Sequence, residues 1–368
     1  MVFASAGLCA DPEVIRDAVR STLAPRHLIG CTGEAIIGTG REIEDQSAIV
    51  VWAAVLPGAR ITPIRAVSAR EVDGSADVAG WPTRSGAGAS DTLLPGAHDV
   101  VIALADPFSL PVDAVLELTN TSGWQPNVVG GLASGGRRPG EHVLWLDDQD
   151  YRDGLVAVSI GGANLITAVS QGCTPIGQEM VVTDADGFGR IYALAGRPAL
   201  TKLQEILDEL DNDALELANS GVTLGVVMNE NQPDYVRGDY LMRGLLGANP
   251  ETGEIHIGEH VRVGQTVRLH VRDTASAHDD LRTAARSAST RLGGAVTGAL
   301  VFSCNGRGTR MFEQPHHDAR VIADELGDPP IAGLFCNGEI GPVGGRNFLH
   351  GFTATVAIFG TLGRAHSL

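Results

Sequence analysis

Apolar positions along the chain change their period several times, and each change predicts an element. Behind Asp11-Pro12, the residues Val14, Ile15, Ala18, Val19 and Leu23 recur at the spacing of one helical face, with an aspartate cap and a proline in the first turn. The run His27 to Cys31 is short and apolar and leads into Gly30-Cys31-Thr32-Gly33-Glu34, which predicts a strand ending in a turn. Ala48 to Leu56, Ile61 to Val67 and Val100 to Leu104 read as further strands, and Val112 to Leu118 as a helix. Glu71 to Gly96, rich in Gly, Ser, Ala and Asp, reads as a loop. Val128-Val129 runs directly into Gly130-Gly131-Leu132-Ala133-Ser134-Gly135-Gly136, a strand feeding a glycine loop. From Val143 to Ala195 strand follows strand around the turn Asp184-Ala185-Asp186-Gly187, which predicts an antiparallel meander.

Leu203, Ile206, Leu207, Leu210, Leu215 and Ala218 then mark one amphipathic helix joining two halves, so a boundary is expected near residue 200, with domains 1–200 and 201–368. The second half repeats the style. It has a strand from Leu224 to Met228, a hairpin from Ile255 to Val271, helices at about Ala275 to Leu292 and Ala319 to Leu326, and strands at Ala299 to Ser303, Ile331 to Phe335 and Phe352 to Phe359. The expected class is α/β of the α+β type: two domains with mixed, largely antiparallel sheets flanked by helices. Cys31-Thr32-Gly33-Glu34 and Cys336-Asn337-Gly338-Glu339 share Cys-x-Gly-Glu after an apolar strand, and Cys304-Asn305-Gly306 is a partial third copy, so pseudo-duplication stays open.

Composition narrows the chemistry. With 44 acidic against 27 basic residues the formal charge is −17, which repels nucleic-acid backbones and anionic lipid, and no arginine run exceeds Arg137-Arg138. Lys202 is the only lysine and follows no glycine loop, which excludes a phosphate-binding P-loop and a Schiff base. The five cysteines, Cys9, Cys31, Cys173, Cys304 and Cys336, are odd in number and scattered, against a disulfide framework or structural zinc. No apolar run reaches membrane-spanning length and no basic region precedes the first apolar stretch, so a cytoplasmic protein without a secretory signal is expected.

A glycine ending a strand exposes bare backbone N–H groups to a ligand. The densest such stretch, Phe335 to Gly351, combines Cys336, Asn337, Gly338, Glu339, Arg346 and His350. Arg346 suits a ligand carboxylate and Glu339 an ammonium group, a pairing that fits an amino-acid-like zwitterion. The alternative is that the two pair with each other to fix the loop. The candidate ligand-binding set is Cys31, Thr32, Gly33, Glu34, Gly130, Gly131, Cys304, Asn305, Cys336, Asn337, Gly338, Glu339, Arg346 and His350. Catalysis by Cys336 with His350 as base, and a scaffold binding no small molecule, stay open beside this reading. His256-Ile257-Gly258-Glu259-His260 matches H-x-x-E-H but sits in strand-like alternation, where the two histidines would be roughly 13 Å apart, so no metal site is expected. His316-His317-Asp318 reads as a helix start with Asp318 as N-cap, and Asp147-Asp148-Gln149-Asp150 as a solvated acidic face. No G-x-G-x-x-G follows a strand, and no cofactor is implied.

At these residues the sequence resembles the FIST family, in which a FIST N domain precedes a FIST C domain. The run Ile331-Ala332-Gly333-Leu334-Phe335-Cys336-Asn337-Gly338-Glu339-Ile340-Gly341-Pro342 looks like its distinctive signature, followed by Phe348-Leu349-His350-Gly351-Phe352-Thr353-Ala354. Gly30-Cys31-Thr32 and Gly130-Gly131 look like its N-terminal glycine turns, and the likeness extends from about Phe3 to Phe359. The resemblance implies a sensory module for small molecules such as amino acids. Family members often carry an output module, for which this sequence leaves no residues, so action through a separate signalling protein and service as a binding protein both stay open. The resemblance implies no catalytic residues, and a homo-oligomer stays open.

Overall fold

The structure, a computed structural model, describes residues 1–70, 76–83, 99–219, 221–236 and 238–361. They form two compact units, one of Met1–Val169 with Leu281–Leu368 and one of Ser170–Asp280. Contact rather than chain order makes these units, since residues 281 onward pack with the first and residues 170–200 with the second.

The first unit repeats one motif. Val2–Ser5 runs into the helix Pro12–Leu23 and returns as Ile29–Gly33 in parallel register. Val100–Ala105, the helix Val112–Thr121 and Asn127–Leu132 do the same, as do Val296–Cys304, the helix His317–Leu326 and Ile331–Cys336. A parallel pair cannot be closed by a tight turn, so each needs its crossover helix. The three pairs lie in a five-, a seven- and a six-stranded sheet, and Ile49–Val51, Leu144–Leu146, Leu155–Gly161, Glu339–Val343, Ile36–Gly38 and Ala354–Gly360 join them in antiparallel pairing. The first helix forms where the apolar spacing placed it and ends at Ala24 in the left-handed region. Asp11 stands at its cap position without a side-chain capping hydrogen bond.

Each crossover brings a glycine of its second strand opposite the first strand: Gly30 faces Val2, Gly130 faces Ala103 and Gly333 faces Val301. A Cβ on Gly130 would stand 1.8 Å from the Ala103 carbonyl oxygen, so only a residue without a side chain fits that approach. Phe3, Ile36, Ile102, Leu104, Val129, Leu144, Phe302 and Leu334 fill the core with Cys31 and Cys336. Phe3 and Phe302 meet edge to face at 6.1 Å. Full burial of each large side chain contributes about 1.5–3 kcal/mol, so the core fixes where the strand ends lie.

The second unit holds a seven-stranded sheet with the helices Ala199–Asp208 and Asn212–Asn219. Its core includes Ile176, Val182, Ile191, Leu224, Val267 and Leu269, against which Leu203 and Ile206 of the first of these helices pack.

Several expectations change. The stretch from Val143 to Ala195 is not a meander: Leu144–Leu146, Leu155–Gly161, Leu165–Ser170 and Cys173–Ala185 join four different sheets. The expected hairpin from Ile255 to Val271 does not form, because Glu254–Ile257 pairs with Tyr240–Asn249 whereas Thr266–Arg272 pairs with Val222–Val227. Alternation marks a strand and its buried face but carries no information about its neighbour. The single helix after residue 200 is two helices, and Gly130-Gly131 lie in a strand rather than a loop. In the expected loop Glu71 to Gly96, Ala76–Ala79 is a strand paired with Arg60–Arg70, and residues 71–75 and 84–96 lie outside the described residues. His256 lies on a strand and His260 Nδ1 stands 2.9 Å from the Gly187 carbonyl oxygen.

Candidate functional site

Ser134 joins three strand ends. Its backbone N–H donates to Thr32 at 3.1 Å, its hydroxyl donates to the Phe335 carbonyl, and that hydroxyl accepts the Glu34 N–H at 2.7 Å. Leu132 N–H donates to Gly338 at 2.9 Å and Asn337 N–H returns to Leu132 at 3.2 Å. Asn305 N–H donates to Cys336 at 3.0 Å, and Cys304 N–H to Thr353 at 3.0 Å. Cys31 to Glu34, Gly130 to Ser134, Cys304 to Arg307 and Cys336 to Glu339 therefore meet where the three parallel pairs end. The carboxyl ends of parallel strands are where open α/β sheets bind ligands. Gly131 permits the closest part of this meeting, since a Cβ there would fall 2.3 Å from Cys336 Sγ.

The rim carries polar groups that reach water. Asn305 Nδ2 donates to Asn337 Oδ1 at 2.7 Å. Arg310 forms an ion pair with Glu34, and its Nη1 donates to the Asn305 carbonyl at 2.9 Å. The Arg310 side chain is 58% exposed and that of Glu34 40%, so a polar solute can reach both.

Beneath the rim the charges are buried. Arg307 meets Asp318 through Nε at 2.7 Å and Nη2 at 2.8 Å, with side-chain exposures of 1% and 0%. Ser303 Oγ donates to Asp318 at 2.6 Å, and His317 Nδ1 lies 2.8 Å from its other oxygen. Burial works against the Asp318 charge, but the Arg307 guanidinium and the hydrogen bonds from Arg307, His317 and Ser303 together outweigh it and hold the carboxyl below its ordinary range. The Phe312 ring stacks on His317 at 3.5 Å and lies under the Arg307 guanidinium at 5.3 Å. Asp318, expected as an N-cap, instead lies in the first turn behind His316, which occupies the cap position.

Glu339 is fully buried, and its Oε2 accepts the Thr353 N–H at 3.1 Å and hydroxyl at 2.9 Å. Burial pushes its carboxyl up to about 8, against the Thr353 hydrogen bonds and the Arg307 charge. Glu339 Oε1 accepts no well-formed hydrogen bond, and Arg307 Nη1 donates none, while the Cys304 thiol acts on the same carboxyl group. A buried polar atom without a partner costs about 1–3 kcal/mol. Burial and the Glu339 charge push the Cys304 thiol up to about 12.

Arg346 and His350 lie differently. The hairpin register pairs Glu339 with His350 and Val343 with Arg346, so Arg346 sits four residues, about 13 Å, along the strand from Glu339. It is 53% exposed and pairs with Glu117 at 3.0 Å, and the arginine whose charge acts on Glu339 is Arg307. His350 Nε2 lies 3.0 Å from the Gly341 carbonyl, while the buried Cys336 Sγ lies 3.8 Å from that of Leu334. Burial, then the Glu339 charge, raise the Cys336 thiol far above its ordinary value, and burial first also raises Cys31, so both are packed thiols in the core. Ser134, Arg307, Arg310, Asp318 and Thr353 were not among the expected site residues. The one sequence signal for Arg307 is its place in Gly306-Arg307-Gly308, just after a buried strand.

A family profile described as FIST N domain matches residues 1–197, and one described as FIST C domain matches residues 199–342. An uncharacterized protein of Mycobacterium tuberculosis is 44% identical over 348 residues, covering 93% of this chain and 86% of its own length. An uncharacterized protein of Mycobacterium bovis is 42% identical over 351 residues, covering 94% and 86%.

Proposed function

We propose, from the premise that this chain belongs to the FIST family, that it is a sensory protein whose strand ends bind a small polar molecule of amino-acid type. The observation that carries the reading is the pairing of Glu34 with Arg310 beside Asn305 and Asn337, on a rim built by three separate β-α-β units. Arg310 suits a carboxylate and Glu34 an ammonium group, and without ligand the two neutralise each other. Cys31, Thr32, Gly33, Gly130, Gly131, Cys304, Cys336, Gly338 and Glu339 form the frame behind them. Arg310 thus takes the role that sequence reasoning gave Arg346, and His350 braces the hairpin that carries Glu339.

Within the same proposal, residues 1–200 and 201–368 are the two family segments, the protein acts in the cytoplasm, and the bound state is read by a separate signalling partner or a second copy of the chain. No helix among the described residues is long and apolar enough to cross a membrane.

Thermal-shift screening of the full chain against the amino acids tests the reading. A ligand present at 100 times its dissociation constant adds about 2.7 kcal/mol to stability. Arg310→Ala should weaken the response at least tenfold, and Arg346→Ala should leave it unchanged. No response across the amino acids, or equal effects of the two variants, would remove the support for this site.

A further inference from the structure

A hollow lies at the end of the same strands opposite the rim. Its volume is about 120 Å³, and Ile29, Ile102, Ile160, Trp52 and Phe359 form much of its wall. Ile29 opens the strand that ends at Gly33, so the hollow and the rim are about 13 Å apart along that strand. No lysine, arginine or carboxylate side chain lines it, and the Met1 amino group on its wall donates to the Trp52 carbonyl at 2.8 Å and is lowered by burial to about 6. An enclosed apolar cavity of roughly 150 Å³ accepts benzene, and this hollow is of similar size but opens to solvent beside the half-exposed Leu23. The size and the walls therefore suit a single ring.

One lining side chain is polar and ionisable. His27 Nδ1 lies 3.3 and 3.4 Å from the two Asp147 oxygens, and Asp147 is itself fixed by the Leu28 N–H at 3.1 Å. A carboxylate at Nδ1 selects the tautomer that carries the proton there, which makes Nε2 an acceptor. The Trp52 indole N–H is already donated to the Pro330 carbonyl at 3.2 Å, and its ring lies 4.8 Å from that of Phe359. The lining thus offers an aromatic wall and an imidazole acceptor, beside a Met1 amino group already engaged with the Trp52 carbonyl.

We propose that this hollow binds a free single-ring aromatic molecule with one O–H or N–H donor, its ring against Trp52 and Phe359 and its donor on His27. The site is separate from the rim and does not depend on the amino-acid reading.

Calorimetric titration of the full chain with phenol and with benzene tests it. Both should bind saturably, phenol about five- to tenfold tighter, the factor one hydrogen bond supplies. His27→Phe should bring the two affinities together. Val19→Trp should fill the hollow and abolish both, and Leu23→Trp, at a half-exposed position on its edge, should do the same without entering the core. Arg310→Ala should leave phenol binding intact. The proposal is overturned by no saturable binding of either ring, by equal affinities in the unaltered chain, by a preference for phenol that survives His27→Phe, or by unchanged binding in both tryptophan variants.

Discussion

Arg307 and Asp318 face each other through two near-parallel hydrogen bonds of 2.7 and 2.8 Å, in a setting that hides both side chains from solvent. The pair ties the strand end at Cys304 to the first turn of the helix His317–Leu326. Removing one partner leaves the other as an uncompensated buried charge. Arg307→Met or Asp318→Leu should each cost about 3–5 kcal/mol in urea unfolding, and the two together should recover a substantial part. Additive losses in the double variant would contradict this account.

Glu339 and Glu42 should make stability depend on pH with an uncommon sign. Burial, joined at Glu42 by the Asp318 charge, raises both carboxyls from 4.5 to about 8. Between those values the unfolded chain has released protons that the folded chain still holds. Stability is therefore greatest below pH 4.5 as far as these groups are concerned, falls as pH rises toward 8, and levels off above it. Glu339→Gln should remove its share, on the order of 2–4 kcal/mol between pH 5 and pH 8.5, in urea midpoints measured at both values. A difference from the unaltered chain that does not change with pH would exclude the mechanism.

Thiol labelling reads the cysteines directly. Cys31 and Cys336 are buried with strongly raised thiols, and Cys304 is half-buried and raised to about 12. The thiolate is the reactive form, so iodoacetamide at pH 7 should modify Cys336 and Cys31 only as fast as the protein unfolds. Rapid modification of Cys336 in the folded protein would instead favour a nucleophile.

Gly131→Ala should destabilise by about 1–3 kcal/mol, because its new methyl group would meet Cys336 Sγ at 2.3 Å. Cys336→Ala introduced alongside should relieve part of that cost. A double-mutant cycle in chemical denaturation checks the coupling, and strict additivity would show that the clash is absorbed elsewhere.

Much of the frame was legible because it depends on local rules. The helix Pro12–Leu23 announces itself by period, and Ile29–Gly33 and Ile331–Cys336 by short apolar runs closed with glycine. Strand partnership was not legible, since Cys173–Ala185 and Thr266–Arg272 lie far apart in sequence yet pair, and nothing local encodes that. Asp318 suits an N-cap on residue type alone, and only the neighbouring Arg307 shows why it is buried. Arg346 drew notice by its neighbours in sequence, whereas strand geometry sets it about 13 Å from Glu339. Arg310 lies 276 positions from the Glu34 it contacts, beyond the reach of any motif.

The Ser134 hydroxyl bonds across 100 positions to Glu34 and across 201 to Phe335. During synthesis at about 5–20 residues per second, the ribosome needs roughly 10–40 s after making Ser134 to supply Phe335. Through that interval the apolar faces of the first two crossovers emerge without the third that covers them. Cells producing this protein must therefore shelter a half-built nascent chain, and slowing translation over the intervening stretch should increase its dependence on chaperones.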